Sequence, residues 1–317
     1  MKKERLSIVV PCYNEQSNVE HFYRILKNSL KSLDLDHRII YVNDGSKDRT
    51  LEFLHAIAKH DKKVTVISLS RNFGKEIATS VGIVHSNSDA ILMVDGDGQH
   101  PVELIPNFIE KWRTGSQVVV GVRESNQKEG LIKKYGSKVF YILFKLITGK
   151  SLVAGSTDFR LIDKVVGQEF ARLTERNRIT RGLIDWLGFK TDTIPFQANA
   201  RMAGEASYSF RKLFELALNS FVSLSAKPLY FAFYIGMLVL PLSVLAGIIV
   251  VLEMLVGDPL GWNARASAYL IIFAIALIGL ILISQGITAL YLSHIYTEAQ
   301  NRPLYIIDEK QSRNFSV

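Results

Sequence analysis

Short apolar runs alternate with longer amphipathic stretches along the N-terminal two thirds of the chain. Candidate strands are residues 6–10, 39–42, 64–69, 90–94 and 118–122, and candidate helices are residues 15–33, 47–60, 74–86 and 102–113. Strands that alternate with helices predict a doubly wound, mostly parallel α/β sheet. In such sheets ligands bind beyond the carboxyl ends of the strands, so the loops at those ends are where chemistry is expected.

Two much longer apolar runs follow, at residues 229–252 and 266–291. The first carries no charge and would extend roughly 36 Å as a helix, enough to cross a bilayer core. Buried core helices are the alternative, but runs of this length favour a transmembrane hairpin. Basic residues lie before the first run and after the second, whereas the short connection carries only Arg265. The positive-inside rule then places the connection outside and residues 1–228 in the cytoplasm.

An amphipathic stretch precedes the first span. Its apolar positions recur at helical spacing and are Phe210, Leu213, Phe214, Ala217, Leu218, Phe221 and Leu224. Packing against the protein's own sheet is one interpretation, and lying in the membrane interface is the other. Adjacency to a span favours the interface, and residues 137–150 are a second, weaker candidate. The expected organisation is a catalytic domain at 1–209, an interfacial helix at 210–228, two spans with their loop at 229–293 and a cytoplasmic tail at 294–317.

Composition adds three constraints. The chain has 317 residues, of which 48% are hydrophobic, and a formal charge of +8. We expect the excess of basic residues to favour binding to an anionic membrane surface, and we expect no nucleic-acid partner. The single cysteine, Cys12, excludes an intrachain disulfide and suits the cytoplasm. The first apolar run is too short for a signal peptide and is expected to be a strand.

The stretch "AILMVDGDGQHP", residues 90–101, places two aspartates directly after an apolar strand. Asp95 and Asp97 are two positions apart, and such residues point to the same side of extended backbone. Two neighbouring carboxylates repel unless a proton or cation lies between them, and a hard divalent ion suits oxygen ligands. The alternative is a polar turn, because Asp-Gly is common in turns.

The other predicted strands also end in polar clusters. These are "VVPCYNE" after the first strand, "YVNDGSKD" after the second and "SLSRNFGKE" after the third. The carboxyl ends of parallel strands meet at one edge, so these clusters should converge with Asp95 and Asp97. Several of these residues could merely cap helices or form turns. A Rossmann dinucleotide site is disfavoured, because no G-x-G-x-x-G follows the first strand.

Six motifs, taken in order, resemble the inverting GT-A glycosyltransferases. They are "VVPCYNE", "VNDGS", "RNFGKE", "DGDGQHP", "STDFRLID" and "ARMAGEASYSFRKL". More narrowly, the chain is similar to polyprenyl-phosphate glycosyltransferases, which include dolichyl-phosphate mannose synthases and bacterial undecaprenyl-phosphate glucosyltransferases. The resemblance covers about residues 5–215, and the two following spans suit the membrane-anchored bacterial branch in the inner membrane.

The resemblance implies roles for individual residues. Asp44 would read the nucleobase, and Arg201 would close over the diphosphate from a mobile loop. The remaining implied donor-site residues are Pro11, Tyr13, Glu15, Lys75, Asp95, Asp97 and Gln99, with Asp95 and Asp97 also holding Mg²⁺ or Mn²⁺. Two positions depart from the family pattern: Asn43 stands where relatives often have aspartate, and Ser207 stands where many have lysine.

The implied reaction transfers a sugar, best taken as glucose from UDP-glucose, onto a polyprenyl phosphate with inversion. The metal and Arg201 would neutralise charge on the departing diphosphate. A phosphate acceptor is largely dianionic at neutral pH and needs little general base. Asp158 is a candidate base or acceptor-orienting group; alternatively it caps a turn or pairs with Arg160. Mannosyl transfer from GDP-mannose, a processive polysaccharide synthase and a non-catalytic membrane protein are the competing functions, and homo-oligomerisation is left open.

Overall fold

The computed structural model describes residues 3–31, 33–124, 155–176, 178–197 and 266–315, together with single helical positions between 234 and 256. The chain divides into two compact units. The first comprises Met1–Tyr141, Ser151–Ser207 and Arg302–Val317, and the second comprises Ile142–Lys150 and Tyr208–Asn301.

The first unit has an α/β fold built on one mixed sheet. The described ranges contribute seven strands to this sheet. The strands are β1 (Arg5–Cys12), β2 (Asp36–Asn43), β3 (Val64–Ser68), β4 (Ala90–Met93), β5 (Val118–Arg123), β6 (Ser156–Asp163) and β7 (Thr191–Phe196). Their spatial order is β3-β2-β1-β4-β6-β5-β7. The predicted mostly parallel sheet is confirmed, except that β6 runs antiparallel to both of its neighbours.

Helices cover both faces of this sheet. They are α1 (Val19–Leu30), α2 (Thr50–His60), α3 (Lys75–Val84), α4 (Ile105–Arg113), α5 (Lys164–Arg172) and α6 (Thr180–Trp186). Alternate strand residues point to opposite faces, so Ile8 and Val10 pack beneath α1, α2 and α4, whereas Val9 packs with α3, α5 and α6. Helices α1 and α2 begin later than predicted, at Val19 and Thr50. The residues before each helix form loops at the sheet edge instead.

The C-terminal segment, residues 302–315, was predicted to be part of a tail but packs on the first unit. It pairs with the outer strand through bridges between Val66 and Arg313 and between Leu69 and Ile307. Its apolar side chains cover a cluster under β3 and α3; they are Leu304, Tyr305, Ile307 and Phe315. An exposed strand edge invites pairing with other chains, and this segment covers the β3 edge.

The described part of the second unit is dominated by one long helix, α7 (Ala266–Ala299). Within it, Leu277–Ala299 is long and apolar enough to cross a membrane by length and composition. Large apolar side chains are exposed along this helix, among them Ile281, Leu282 and Ile295. The predicted second span is thus matched by one apolar helix in the described part of the chain. The described positions between 234 and 256 are helical, while most of the predicted first span lies outside the described residues.

Candidate active site

The strand order reverses between β1 and β4, because β2 and β3 continue on one side of β1 and the later strands on the other. Crevices at such switch points are the usual ligand sites of open α/β sheets. The loops after β1 and β4 both leave the sheet here, and they carry Tyr13, Glu15, Asp95 and Asp97. The predicted convergence of polar loop ends therefore has its structural basis in the sheet order.

The antiparallel strand β6 brings Asp158 to the same edge. Met93 pairs with Arg160 across β4 and β6. Asp95 lies two residues beyond Met93, and Asp158 lies two residues before Arg160. Because the two strands run in opposite directions, both aspartates reach the carboxyl edge of β4.

Lys75 joins these two aspartates. Its Nζ lies 2.6 Å from Asp95 Oδ1 and 2.8 Å from Asp158 Oδ2. Burial lowers the pKa of Lys75, but the two carboxylates outweigh burial and raise it. Burial likewise raises the pKa of Asp158, and Lys75 outweighs that effect and lowers it. At neutral pH the site therefore holds an ammonium between two carboxylates. The alternative pairing of Asp158 with Arg160 is wrong, since the salt bridge of Arg160 is to Asp185 at 2.7 Å.

Backbone hydrogen bonds fix the rest of the β4 loop. Asp97 Oδ1 accepts a hydrogen bond from the Gln99 backbone N–H at 3.0 Å. The Asp95 N–H donates to His100 Nδ1, so the neutral imidazole carries its proton on Nε2, 3.9 Å from Asp95 Oδ2. Burial lowers the pKa of His100, whose ring stacks on Phe159 with centroids 5.2 Å apart. Asp95 and Asp97 are thus held by a short turn that a buried histidine supports.

The donor set fits a magnesium or manganese ion. Mg²⁺ is commonly held by one or two carboxylates and completes its shell with substrate phosphates and water. Asp95 and Asp97 supply two such carboxylates, both partly exposed at the strand end. Within the described ranges, no group of three or more His, Cys, Asp or Glu residues is arranged to hold a metal without help. Water and substrate phosphates would complete the coordination of a metal held by these two carboxylates.

Asp44 is engaged in a structural contact that its sequence motif did not reveal. The residue is 2% exposed, and its carboxylate accepts hydrogen bonds from the backbone N–H groups of Phe73 at 2.7 Å and Gly74 at 2.9 Å. Burial raises the pKa of Asp44, and these two bonds partly offset the rise. Gly45 has φ +64°, and a Cβ there would lie 2.4 Å from the carbonyl carbon of Arg71. The "NDGS" loop thus packs directly on the loop that leads into α3 and Lys75.

The remaining predicted residues lie on the β1 side of the switch point. Pro11 lies near the end of β1, and Tyr13 is 41% exposed. The Glu15 backbone N–H donates to Thr50 Oγ1 at 2.8 Å, and its side chain accepts from Asn18 at 2.6 Å. This loop is therefore fixed against the start of α2. Arg201 lies outside the described residues.

A cleft of about 200 Å³ opens beside Asp95 and Asp158, and sequence reasoning did not anticipate its basic lining. It is lined by Asp95, Gln99, His100, Arg123, Ser156, Thr157, Asp158, Arg181 and Phe196. Arg123 ends β5, and Arg181 lies in the first turn of α6. Neither belongs to one of the six motifs quoted above; the pairing of β5 with β6 brings Arg123 beside Asp158, and the packing of α6 brings Arg181 there. A cleft with two guanidinium groups is suited to an anion such as a phosphate.

Three comparisons with known proteins agree with this architecture. The model of glycosyl transferase family 2 matches residues 7–169. An SfII prophage-derived bactoprenol glucosyl transferase of Shigella flexneri is 34% identical, over 98% of this chain and 99% of the relative. An uncharacterized glycosyltransferase of Bacillus subtilis, YkcC, is 37% identical, over 96% of this chain and 93% of the relative.

Among solved structures, mannosyl-3-phosphoglycerate synthase from Rubrobacter xylanophilus superimposes with a TM-score of 0.51 at 16% identity. The superposition covers 68% of this chain and 71% of that one, and at this identity it bears on the fold alone. The family match spans β1 to β4 and the Asp95–Asp97 turn, and it reaches Asp158 on β6. The chain belongs to glycosyl transferase family 2, with the GT-A fold, and is a glycosyltransferase.

Proposed function

We propose that the protein is a membrane-anchored enzyme that transfers glucose from UDP-glucose to a polyprenyl phosphate with inversion. The observation that carries this proposal is the pairing of Asp158 with Lys75 beside a cleft lined by Arg123 and Arg181. The relatives named bactoprenol glucosyl transferases support the choice of a lipid-phosphate acceptor and of glucose.

The charge state of Asp158 discriminates between acceptor classes. A sugar hydroxyl must lose a proton as it attacks, and a useful general base has a pKa near the working pH. Lys75 lowers the pKa of Asp158, which makes this carboxylate a poor base. A phosphate acceptor is already deprotonated and needs only to be held in place. The arrangement therefore favours a phosphate acceptor over the saccharide acceptor of a processive synthase, with Asp158 orienting groups in the cleft.

The transfer step can be assigned to residues of this chain. Arg123 and Arg181 bind the acceptor phosphate, one oxygen of which forms a bond to the sugar anomeric carbon. The bond between that carbon and the diphosphate breaks, and the nucleoside diphosphate leaves. Asp95 and Asp97 would hold Mg²⁺ or Mn²⁺, which neutralises negative charge on the diphosphate when bound. We assign Lys75, Gln99 and Arg201 to the diphosphate, and Pro11, Tyr13, Glu15 and Asp44 to the nucleoside. Asp44 would contact the nucleobase by exchanging one of its backbone hydrogen bonds, to Phe73 or Gly74, for one to the base.

Membrane anchoring by a hairpin is supported by the course of the chain. The segment from 208 to 301 belongs to the second unit, together with residues 142–150, whereas residues 302–317 again belong to the first. A segment that leaves a domain and returns to it must cross a bilayer an even number of times. Since Leu277–Ala299 is long and apolar enough for one crossing, we propose that residues 229–252 form the other, with the catalytic unit in the cytoplasm.

The decisive test incubates the purified full chain with radiolabelled UDP-glucose or GDP-mannose and either undecaprenyl or dolichyl phosphate. We expect label from UDP-glucose to enter the organic phase with undecaprenyl phosphate, and EDTA to abolish the transfer. Label that moves from GDP-mannose instead would favour the mannosyl alternative. Label that enters only water-soluble or polymeric saccharide would overturn the lipid-phosphate assignment.

A further inference from the structure

Lys75 is the cation that directly contacts Asp95 in the described structure, and its position is set by several elements. It is the first residue of α3, and the two preceding backbone N–H groups are bound by the buried Asp44 carboxylate. The next residue, Glu76, accepts a hydrogen bond from the Thr180 backbone N–H at 2.8 Å. Both ends of this short stretch are therefore anchored, which holds the Lys75 backbone near the two aspartates.

The ammonium contacts the atoms that a divalent metal would need. Lys75 Nζ lies 2.6 Å from Asp95 Oδ1, within direct hydrogen-bonding distance. A metal on Asp95 must either displace this ammonium or lie close to it, and like charges at such separations repel. Asp95 is only 24% exposed, so water screens this repulsion incompletely.

We propose that Lys75 is an internal cation that competes with the divalent metal for Asp95 until a nucleoside diphosphate is bound. This inference rests on the proposed metal-dependent transfer. In the free enzyme Lys75 balances Asp95 and Asp158, and metal binding is weak. The bound diphosphate adds negative charge to the site. The metal and the Lys75 ammonium can then both be held there. Lys75 thereby makes the affinity for the metal depend on whether the donor is bound. By thermodynamic linkage, the metal must raise the affinity for the donor by the same factor.

The experiment measures Mn²⁺ binding to the full chain in detergent by electron paramagnetic resonance, with and without UDP. Lys75→Met and Lys75→Gln remove the charge, whereas Lys75→Arg keeps it. Lys59→Met is the matched control, since Lys59 is exposed in the last turn of α2. Helix α2 follows β2, so its last turn lies toward the opposite edge of the sheet. Thermal unfolding verifies that each variant is folded.

Without UDP, we expect both neutral variants to bind Mn²⁺ about tenfold more tightly than the parent, the lower end of the effect of one neighbouring charge on a carboxylate. The Arg variant and the Lys59 control should bind like the parent. UDP should tighten Mn²⁺ binding strongly in the parent and much less in the neutral variants. Unchanged or weaker Mn²⁺ binding by both neutral variants without UDP would overturn the proposal.

The Asp95→Asn variant distinguishes a failure of the proposed competition from a failure of the proposed metal site. Loss of Mn²⁺ binding in Asp95→Asn, together with unchanged binding in the Lys75 variants, would refute the competition but leave the metal site standing. Retention of parental Mn²⁺ affinity in Asp95→Asn would refute the metal site and the competition together.

Discussion

At the scale of single residues, the Asp95–Asp97 turn carries the most direct prediction. Asp95→Asn and Asp97→Asn each keep the size of the side chain but remove the charge that would hold a divalent ion. We expect each to lower transfer by about 10²-fold or more, the scale of losing one group that stabilises transition-state charge. Product partitioned into organic solvent measures the effect. Glu110→Gln, at an exposed position on α4, is the control and should behave like the parent.

Arg201 provides a second prediction at this scale, argued from sequence because it lies outside the described residues. Residues 198–209, "ANARMAGEASYS", combine small residues with one cation, as suits a loop that closes on a ligand. Arg201→Ala should lower turnover by roughly 10²-fold and donor affinity by less, since charge develops in the transition state. Arg201→Lys should restore only part of the rate. Unchanged turnover at saturating donor in Arg201→Ala would remove this residue from the mechanism.

At the scale of elements, the C-terminal segment is predicted to stabilise the sheet. Ile307 packs against the cluster under β3 and α3, whereas its neighbour Ile306 is 54% exposed. Ile307→Ala should lower the free energy of unfolding of the first unit by about 1–2 kcal/mol, for partial loss of a buried side chain. Ile306→Ala is the matched control and should change it by less than about 0.5 kcal/mol. A change of less than about 0.5 kcal/mol in Ile307→Ala, measured by chemical denaturation, would mean that this side chain does not stabilise the sheet.

The packing of residues 302–315 on β3 also affects how a truncated protein without the spans should be designed. All of the residues assigned to the donor lie before residue 228, which favours donor binding by a fragment without the spans. Residues 302–315 supply apolar cover and hydrogen bonds to β3, including those between the backbones of Val66 and Arg313. Deleting residues 229–317 would expose this strand edge and its apolar cluster. A fair test of donor binding without the membrane therefore has to keep the C-terminal segment.

A pH-dependent contact links α1 to the end of α2. Asp61 accepts hydrogen bonds from Tyr23 Oη at 2.7 Å and Lys27 Nζ at 2.8 Å. Burial raises the pKa of Asp61, but these two bonds, the Lys63 backbone N–H and the charge of Lys27 together outweigh burial and lower it from 3.8 to about 2. A lowered folded-state pKa gives stability that is present above pH 3.8 and is lost as the pH falls toward 2.

Because Lys27 is 45% exposed, solvent screens its attraction to Asp61. The contact therefore contributes about 1 kcal/mol to the free energy of unfolding. Asp61→Asn should lower stability by about this amount at pH 7. It should also flatten the dependence of the unfolding midpoint on pH between about 4 and 2. An unaltered pH profile in the variant would show that this contact does not contribute.

At the scale of the whole molecule, membrane topology is testable with cysteine labelling. The only native cysteine, Cys12, is 2% exposed, and burial raises the pKa of its thiol, so it should not react. Asn263→Cys lies between the two predicted spans, and Lys310→Cys lies at an exposed position of the C-terminal segment. An impermeant maleimide should label the first in intact cells and the second only after permeabilisation. Labelling of both in intact cells would contradict the hairpin.

Local patterns in the sequence were enough to predict most of the early strands and helices. Apolar runs of strand length, amphipathic repeats of helix length and polar clusters at the ends of strands identified β1 to β5 and α1 to α4 to within a few residues. Parallel strands share one edge, so the grouping of Asp44, Lys75, Asp95 and Asp97 near that edge also followed from the sequence. The family-specific roles came from motif resemblance, and the comparisons support the family.

Which side chains meet in the site depends on long-range contacts of the folded chain. The antiparallel insertion of β6 between β4 and β5 depends on pairing between residues distant in sequence, and no local pattern encodes it. That register places Asp158 beside Asp95 and Arg123, and it allows Lys75 to join the two aspartates. The packing of residues 302–315 on β3 is likewise long-range, because its short apolar segment gains its stability from the cluster it covers rather than from its own periodicity.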